Sequence, residues 1–187
     1  MNSINHEKLK SAIFSAGCFW CVEADFKKRP DIKDIESGYT GGETNDPSYE
    51  TAAENGHREA VRVWYDPKKT DYRDLVAYFF ATHDPTDPEG SFPDRGHTYT
   101  SAIYCQNDHQ KEVAQEAKED LEKADVFADP VVTEILPADT FWRAEDYHQN
   151  YAKKNQTHYN RYRNASGREE FINEHKEDVF AAIIDKD

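Results

Sequence analysis

A short apolar run over residues 9–16 ends at Gly17, and beyond it Phe19, Val22 and Phe26 recur at helical spacing until Pro30. A buried strand that leaves through one glycine into a helix fixes a βα unit at the start of the chain. It also sets Cys18 at or near the first helical turn, with Cys21 three residues on and on the same helical face. No other stretch of the sequence carries a comparable chemical load: two thiols with two large aromatic side chains between them.

Strand and helix patterns alternate after this unit. Residues 32–39, 57–65, 99–105 and 131–136 read as strands, and residues 71–83, 108–123 and 168–184 read as helices. Gly-Tyr-Thr-Gly-Gly at 38–42 marks a turn or a close backbone approach. Residues 45–56 and 84–96 read as loops, the second long enough to suggest a function of its own. Residues 139–167 are rich in aromatics and histidine and repeatedly interrupted. About four or five strands alternating with helices predict an α/β (α+β) domain, a two-layer sandwich with a small mixed β-sheet packed with helices. The 187 residues suit a single domain over 1–187, its core about 9–176, with the polar N-terminus and the charged C-terminal helix peripheral.

A net charge of -14 disfavours nucleic acid and anionic membrane as partners, since like charges repel. No apolar run reaches the length of a membrane span, and residues 1–10 hold no apolar signal core, so a cytoplasmic protein is expected. In that reducing compartment Cys18, Cys21 and Cys105 do not predict a structural disulfide framework. They point to chemistry, metal binding or inert burial. Cys105 is unpaired and the histidines show no tight ligand spacing, so no metal is expected.

A thiol at a helix start feels unpaired N–H groups and the positive end of the dipole, which predicts a Cys18 pKa below the free value of about 8.5. Cys21 has the spacing a dithiol needs to close a disulfide. The competing reading is a pair of small buried hydrophobes; the pairing, directly after a strand and a glycine, favours redox chemistry. Phe19 and Trp20 are either core packing or walls for an apolar group such as a sulfur-bound methyl. Glu59 lies beside Ala60, Val61 and Val63. Buried there, it would keep its proton at neutral pH and act as a donor. Solvated on an edge strand near Arg58 and Arg62 it would not, and composition favours that second reading. Tyr49, Asp94 and Tyr99, in or beside the loops, say little alone.

Five motifs occur in order: Gly-Cys-Phe-Trp at 17–20, Gly-Tyr-Thr-Gly-Gly at 38–42, Gly-His-Arg-Glu-Ala-Val at 56–61, Asp-Arg-Gly-His-Thr-Tyr-Thr-Ser-Ala-Ile-Tyr at 94–104, and Ala-Glu-Asp-Tyr-His-Gln at 144–149. Together they resemble the A-type peptide methionine sulfoxide reductases, over roughly residues 10–170. The resemblance implies a ferredoxin-like core with extensive loops. It implies reduction of the S epimer of methionine sulfoxide, free or in peptides and proteins, with no metal, flavin or other cofactor. Cys18 matches the nucleophile, which becomes a sulfenic acid. Phe19 and Trp20 match the pocket for the substrate methyl. Tyr49, Glu59 and Tyr99 match the groups that bind and protonate the sulfoxide oxygen, and Asp94 an acidic residue that orients substrate or water. Thioredoxin is implied as the external dithiol that resets the site.

The sequence departs from the commonest pattern of that family after Trp20, where glycine is frequent and Cys21 stands here. Many members carry resolving cysteines in a glycine-rich C-terminal tail, whereas no cysteine follows Cys105 in this chain. Within the resemblance Cys21 is therefore the resolving candidate and Cys105 a passive buried thiol. The alternative class is a general dithiol–disulfide oxidoreductase using Cys18 and Cys21, with Glu59 incidental. A non-enzymatic redox sensor is a third.

Overall fold

The strand predicted ahead of Gly17 forms as β1 (Lys10–Ser15), and it is covered on both faces: Ala12, Ile13 and Phe14 are all at most 2% exposed. The structure, a computed structural model, describes residues 6–185; the expectation about a signal core falls in part on residues 1–5, outside the described residues. Gly17 turns the chain at φ +88°, a left-handed value glycine adopts freely, and a Cβ there would sit 2.5 Å from the Ser91 Cβ. α1 (Phe19–Phe26) starts at once, with Cys18 as its N-cap in non-helical backbone.

β2 (Ile32–Thr40) and β3 (Arg58–Tyr65) follow as a long antiparallel pair, and β3 also pairs antiparallel with β1. α2 (Tyr72–Ala81) begins at a capping box in which Asp71 and Asp74 each accept the other's backbone N–H. The predicted 84–96 loop contains a small hairpin, β4 (Gly90–Ser91) and β5 (Asp94–Arg95). β6 (Ala102–Cys105), α3 (Asp108–Lys123), β7 (Glu134–Pro137), β8 (Trp142–Arg143), α4 (Tyr151–Lys154), α5 (Gln156–Ala165) and α6 (Arg168–Ile183) complete the chain.

The main sheet runs β7-β6-β1-β3-β2-β8, and β6–β7 is its parallel pair. Its inner strands β6-β1-β3-β2, with α1 and α2 as crossovers, make the ferredoxin-like βαββαβ arrangement. The two-layer, mixed-sheet expectation therefore holds. Phe14 carries the sheet–helix contact, stacked between Phe26 of α1 at 5.3 Å and Phe79 of α2 at 5.0 Å. On the opposite face Ile13, Ala60, Ala102 and Tyr104 form a smaller cluster under Leu136 and Phe141.

Three expectations need correction, the first being the strand over 131–136, which forms only over Glu134–Pro137. The predicted strand over 99–105 starts at Ala102, because His97–Tyr99 forms a single 3-10 turn that takes Tyr99 off the sheet. The C-terminal helix, expected to be peripheral, is part of the core. Val179 and Ile183 are fully buried as α6 packs on α2 and α3, and each buried side chain of this kind contributes about 1.5–3 kcal/mol. Ile172, Val179 and Ile183 make a stripe too thin to stand out among the acidic and basic residues of that helix. Among the described residues, no helix is long and apolar enough to cross a membrane.

Candidate active site

The turn at Gly17 delivers both thiols to the end of β1. The Cys18 carbonyl accepts the N–H groups of Cys21 at 3.0 Å and Val22 at 3.3 Å, so Cys18 sits just outside the helix and Cys21 in its first turn. The two thiols are hydrogen-bonded to each other. Cys18 is 6% exposed and Cys21 is 0%.

Their surroundings differ in sign. Burial pushes the Cys18 thiol well up, and its bond to Cys21 and the nearby Glu59 and Asp94 add to this. Cys21 is lowered to about 6, first by the hydrogen bond it accepts from Cys18 and then, against burial, by Arg168 and Arg163. The expectation that the helix start acidifies Cys18 is thus reversed. The first reason is burial, and beside it the first helical amide, Phe19 N–H, is engaged in a bond to Glu59 Oε2 at 2.9 Å.

Glu59, on β3, is 4% exposed. The solvated edge-strand reading is corrected: β3 lies inside the sheet, between β1 and β2. Burial drives the Glu59 carboxyl up to about 8, with Asp94 and Cys21 adding to the rise and the Phe19 N–H opposing it. The side chain therefore holds its proton at neutral pH. Tyr99 and Tyr49 are raised by burial and by the same titratable neighbours, Glu59, Asp94 and Cys18. These distant sequence positions thus share one electrostatic environment. Tyr49 is 43% exposed, and its backbone N–H donates to Glu145 Oε1 at 2.8 Å.

Phe19 and Trp20 point to different surroundings. The Phe19 ring is 1% exposed and packs 4.9 Å from His148 and 5.7 Å from Tyr39. Trp20 is half-buried, stacked on Tyr151 at 3.8 Å and edge-on to Tyr162. Its indole N–H donates to His148 Nδ1 at 3.0 Å.

His148 was quoted above only as part of a motif, and the structure makes it a hub. It is 1% exposed and touches the rings of Phe19, Trp20, Tyr49 and Tyr147. Burial lowers its pKa against the pull of Glu145, so the ring is neutral. Since Nδ1 accepts from Trp20, Nε2 carries the hydrogen, and Glu145 Oε2 lies 3.8 Å from it. That oxygen accepts its hydrogen bond from Tyr39 O–H, at 2.9 Å, and leaves His148 Nε2 without a hydrogen-bond partner.

Three further residues come from the interrupted C-terminal region. Tyr162 O–H donates to the Asp94 carboxylate. Arg163 sits beside Cys21 and binds Asp25 in a fork, both N–H···O distances 2.9 Å. Arg168 reaches the Ala16 carbonyl at 2.8 Å, two residues before Cys18. Nothing in sequence spacing marks these three; the signal is only that aromatic and basic residues cluster between 151 and 168.

Cys105 belongs elsewhere. It ends β6, which runs antiparallel to β1, so it lies at the opposite end of β1 from Cys18. Burial raises its pKa, as suits a passive thiol. Among the described residues no group of three His, Cys, Asp or Glu side chains is placed to hold a metal ion.

A family model described as peptide methionine sulfoxide reductase matches residues 10–179. A Bacillus velezensis protein named peptide methionine sulfoxide reductase MsrA is 47% identical over 174 residues, covering 92% of this chain and 98% of that one. The crystal structure of reduced Mxr1 from Saccharomyces cerevisiae superimposes with a TM-score of 0.74 at 32% identity, over 82% of this chain and 90% of Mxr1. Mxr1 solved in complex with Trx2 superimposes with a TM-score of 0.56 at 27% identity, over 81% of this chain and 90% of that one.

Proposed function

This chain belongs to the peptide methionine sulfoxide reductase family, and from that premise we propose that it reduces the S epimer of methionine sulfoxide, free or in peptides and proteins, to methionine. The observation that carries the reading is the buried Glu59 carboxyl, raised to about 8 and bound to the amide next to Cys18. A sulfoxide sulfur is a poor electrophile until its oxygen is protonated or strongly hydrogen-bonded. Glu59 gives that proton, Tyr49 and Tyr99 bind the same oxygen, and the Phe19 N–H steadies the carboxylate that remains. Asp94 orients substrate or water. Phe19 and Trp20 hold the methyl.

Cys18 attacks the substrate sulfur. In net, the oxygen passes to Cys18, which is oxidised by two electrons to a sulfenic acid, and the sulfoxide is reduced to the sulfide. Cys21 then condenses with Cys18: an S–S bond forms, the S–O bond breaks and water leaves. Cys18 is the N-cap of α1 and Cys21 lies in its first turn, so the disulfide would close across the start of that helix. An external thioredoxin supplies the reducing electrons, a reading supported by the Mxr1–Trx2 complex, and no other cofactor is assigned. A cytoplasmic setting, where such reductants work, fits this cycle.

The test is product analysis with separated sulfoxide epimers and a thiol count after one turnover. Only the S epimer should be consumed, with two thiols lost per methionine formed. Loss of one thiol, or consumption of both epimers, overturns the assignment. Rapid reduction of insulin disulfides with no sulfoxide consumed would replace it with the general oxidoreductase.

A further inference from the structure

Arg168 opens α6 and is 2% exposed, yet among the described residues no carboxylate pairs with it. Its guanidinium donates instead to neutral acceptors: the Ala16 carbonyl at 2.8 Å, the Thr82 carbonyl at 3.1 Å and the Ser91 hydroxyl at 3.2 Å. Its plane lies over the Phe92 ring at 4.8 Å. An arginine stays ionised in a protein, and a buried charge without a counter-ion is costly. The other buried arginines are paired, Arg58 with Glu134 and Arg163 with both Asp25 and Glu169. Arg168 is pinned at the strand end from which both thiols depart, with Nη2 2.9 Å from where a Gly17 Cβ would stand.

We propose that Arg168 is a positioning residue for the redox couple, an uncompensated cation whose counter-charge is the Cys21 thiolate. The proposal rests on the reading of Cys21 as the resolving thiol. Arg163 touches Cys21, but its charge is spent on two carboxylates. Arg168 does not touch the sulfur, but its charge is not cancelled, and it favours the Cys21 thiolate through charge alone, whereas Arg163 adds a direct hydrogen bond. The other groups facing Cys21 are Cys18 at the N-cap, Glu59 on β3, and Tyr159 and Tyr162 on α5.

An ionised Cys21 serves both halves of the cycle. In the resolving step its thiolate attacks the Cys18 sulfenic sulfur; the S–S bond forms, the S–O bond breaks, and hydroxide leaves and takes up a proton as water. In recycling, a thioredoxin thiolate attacks Cys18, the more accessible sulfur. The Cys18–Cys21 bond breaks with Cys21 as the leaving thiolate, and a low leaving-group pKa speeds that step.

The test follows one turnover against pH, reading methionine release and thiol loss separately in Arg168→Met and Arg168→Lys. Arg168→Met should still release about one methionine per protein. Its disulfide step should slow about twofold at pH 7 and about tenfold near pH 5, with the pH midpoint of that step moving up by about one unit. Arg168→Lys, which keeps the charge, should recover most of both. An unmoved midpoint in Arg168→Met overturns the proposal, as does a Lys variant shifted as far as the Met variant, since the bonds to Ala16 and Thr82 would then matter rather than the charge. If Arg168→Met does not fold, Ser91→Asp places a carboxylate against the retained guanidinium and should move the midpoint the same way; no movement overturns the proposal again. Cys21→Ser separates this from the underlying reading: a disulfide that still forms in that variant removes Cys21 from its role, whatever Arg168 does.

Discussion

Cys18 and Cys21 are three residues apart, share one helix start, and face opposite electrostatic surroundings. Cys18 is raised by burial and then by Glu59 and Asp94, from β3 and the 84–96 loop; Cys21, which Glu59 also faces, is lowered by its bond to Cys18 and then by Arg168 and Arg163, from α6 and α5. The difference teaches that a helix N-terminus does not by itself choose which thiol ionises. The first free amide is taken by Glu59, and what remains is decided by which side chains the rest of the fold brings in. The carboxyl side is suited to delivering a proton to a substrate oxygen, and the arginine side to holding a sulfur anion. In the proposed cycle one short helix joins an acid half-site to a thiolate half-site.

The comparison breaks most sharply at the sulfurs themselves. Cys18→Ser should release no methionine from the sulfoxide, a complete loss in single-turnover product analysis. Cys21→Ser should release the first methionine and then stop, with thioredoxin-driven turnover lost. Equal loss of the first methionine in both variants would mean that the two thiols do not divide the work.

Glu59→Gln tests the acid half. The amide carbonyl can still accept the Phe19 N–H, but no proton is available, so the first turnover should fall by about 10² to 10⁴. The unaltered protein should lose first-turnover rate as pH rises through about 8, where Glu59 ionises, and the variant should lack this limb. Stability carries the same signature. The folded pKa is raised from 4.5 to about 8, so the native state binds this proton more tightly than the unfolded chain does, and stability falls as pH rises across that window. Glu59→Gln should therefore gain stability relative to the unaltered protein, by on the order of 3 kcal/mol at pH 7 and less near pH 5, measured by urea unfolding. A gain that does not depend on pH would place the Glu59 proton outside the folding equilibrium.

How much of this was readable in the chain follows from what each feature depends on. The βα unit at Gly17 and the strand carrying Glu59 are local patterns, and both form where the residues indicated. The motifs gathered Cys18, Glu59, Asp94 and Tyr99 into one site through resemblance, because their meeting depends on the order of strands and not on their spacing. The direction of the Cys18 pKa is not legible, since it depends first on burial, and that of Cys21 depends on the Cys18 bond and on two arginines from the other end of the chain. The C-terminal helix was underrated for a related reason. A thin apolar stripe hidden among charges says little until α2 and α3 are there to receive it.

Tyr162 marks the boundary between the two half-sites and carries the smallest expected effect. It comes from α5, on the arginine side, yet its hydroxyl donates to Asp94 on the acid side, and burial together with Cys18 raises its pKa. Tyr162→Phe keeps the ring edge-on to Trp20 and removes only the hydroxyl. A hydrogen bond to a charged group contributes about 1.5 kcal/mol at the low end, so the first turnover should fall by up to about tenfold, with thioredoxin recycling unchanged. Slower recycling with an intact first turnover would move Tyr162 to the Cys21 side and redraw the boundary through α5. Equal loss in both steps would show that Asp94, released from its partner, acts on the two sulfurs alike.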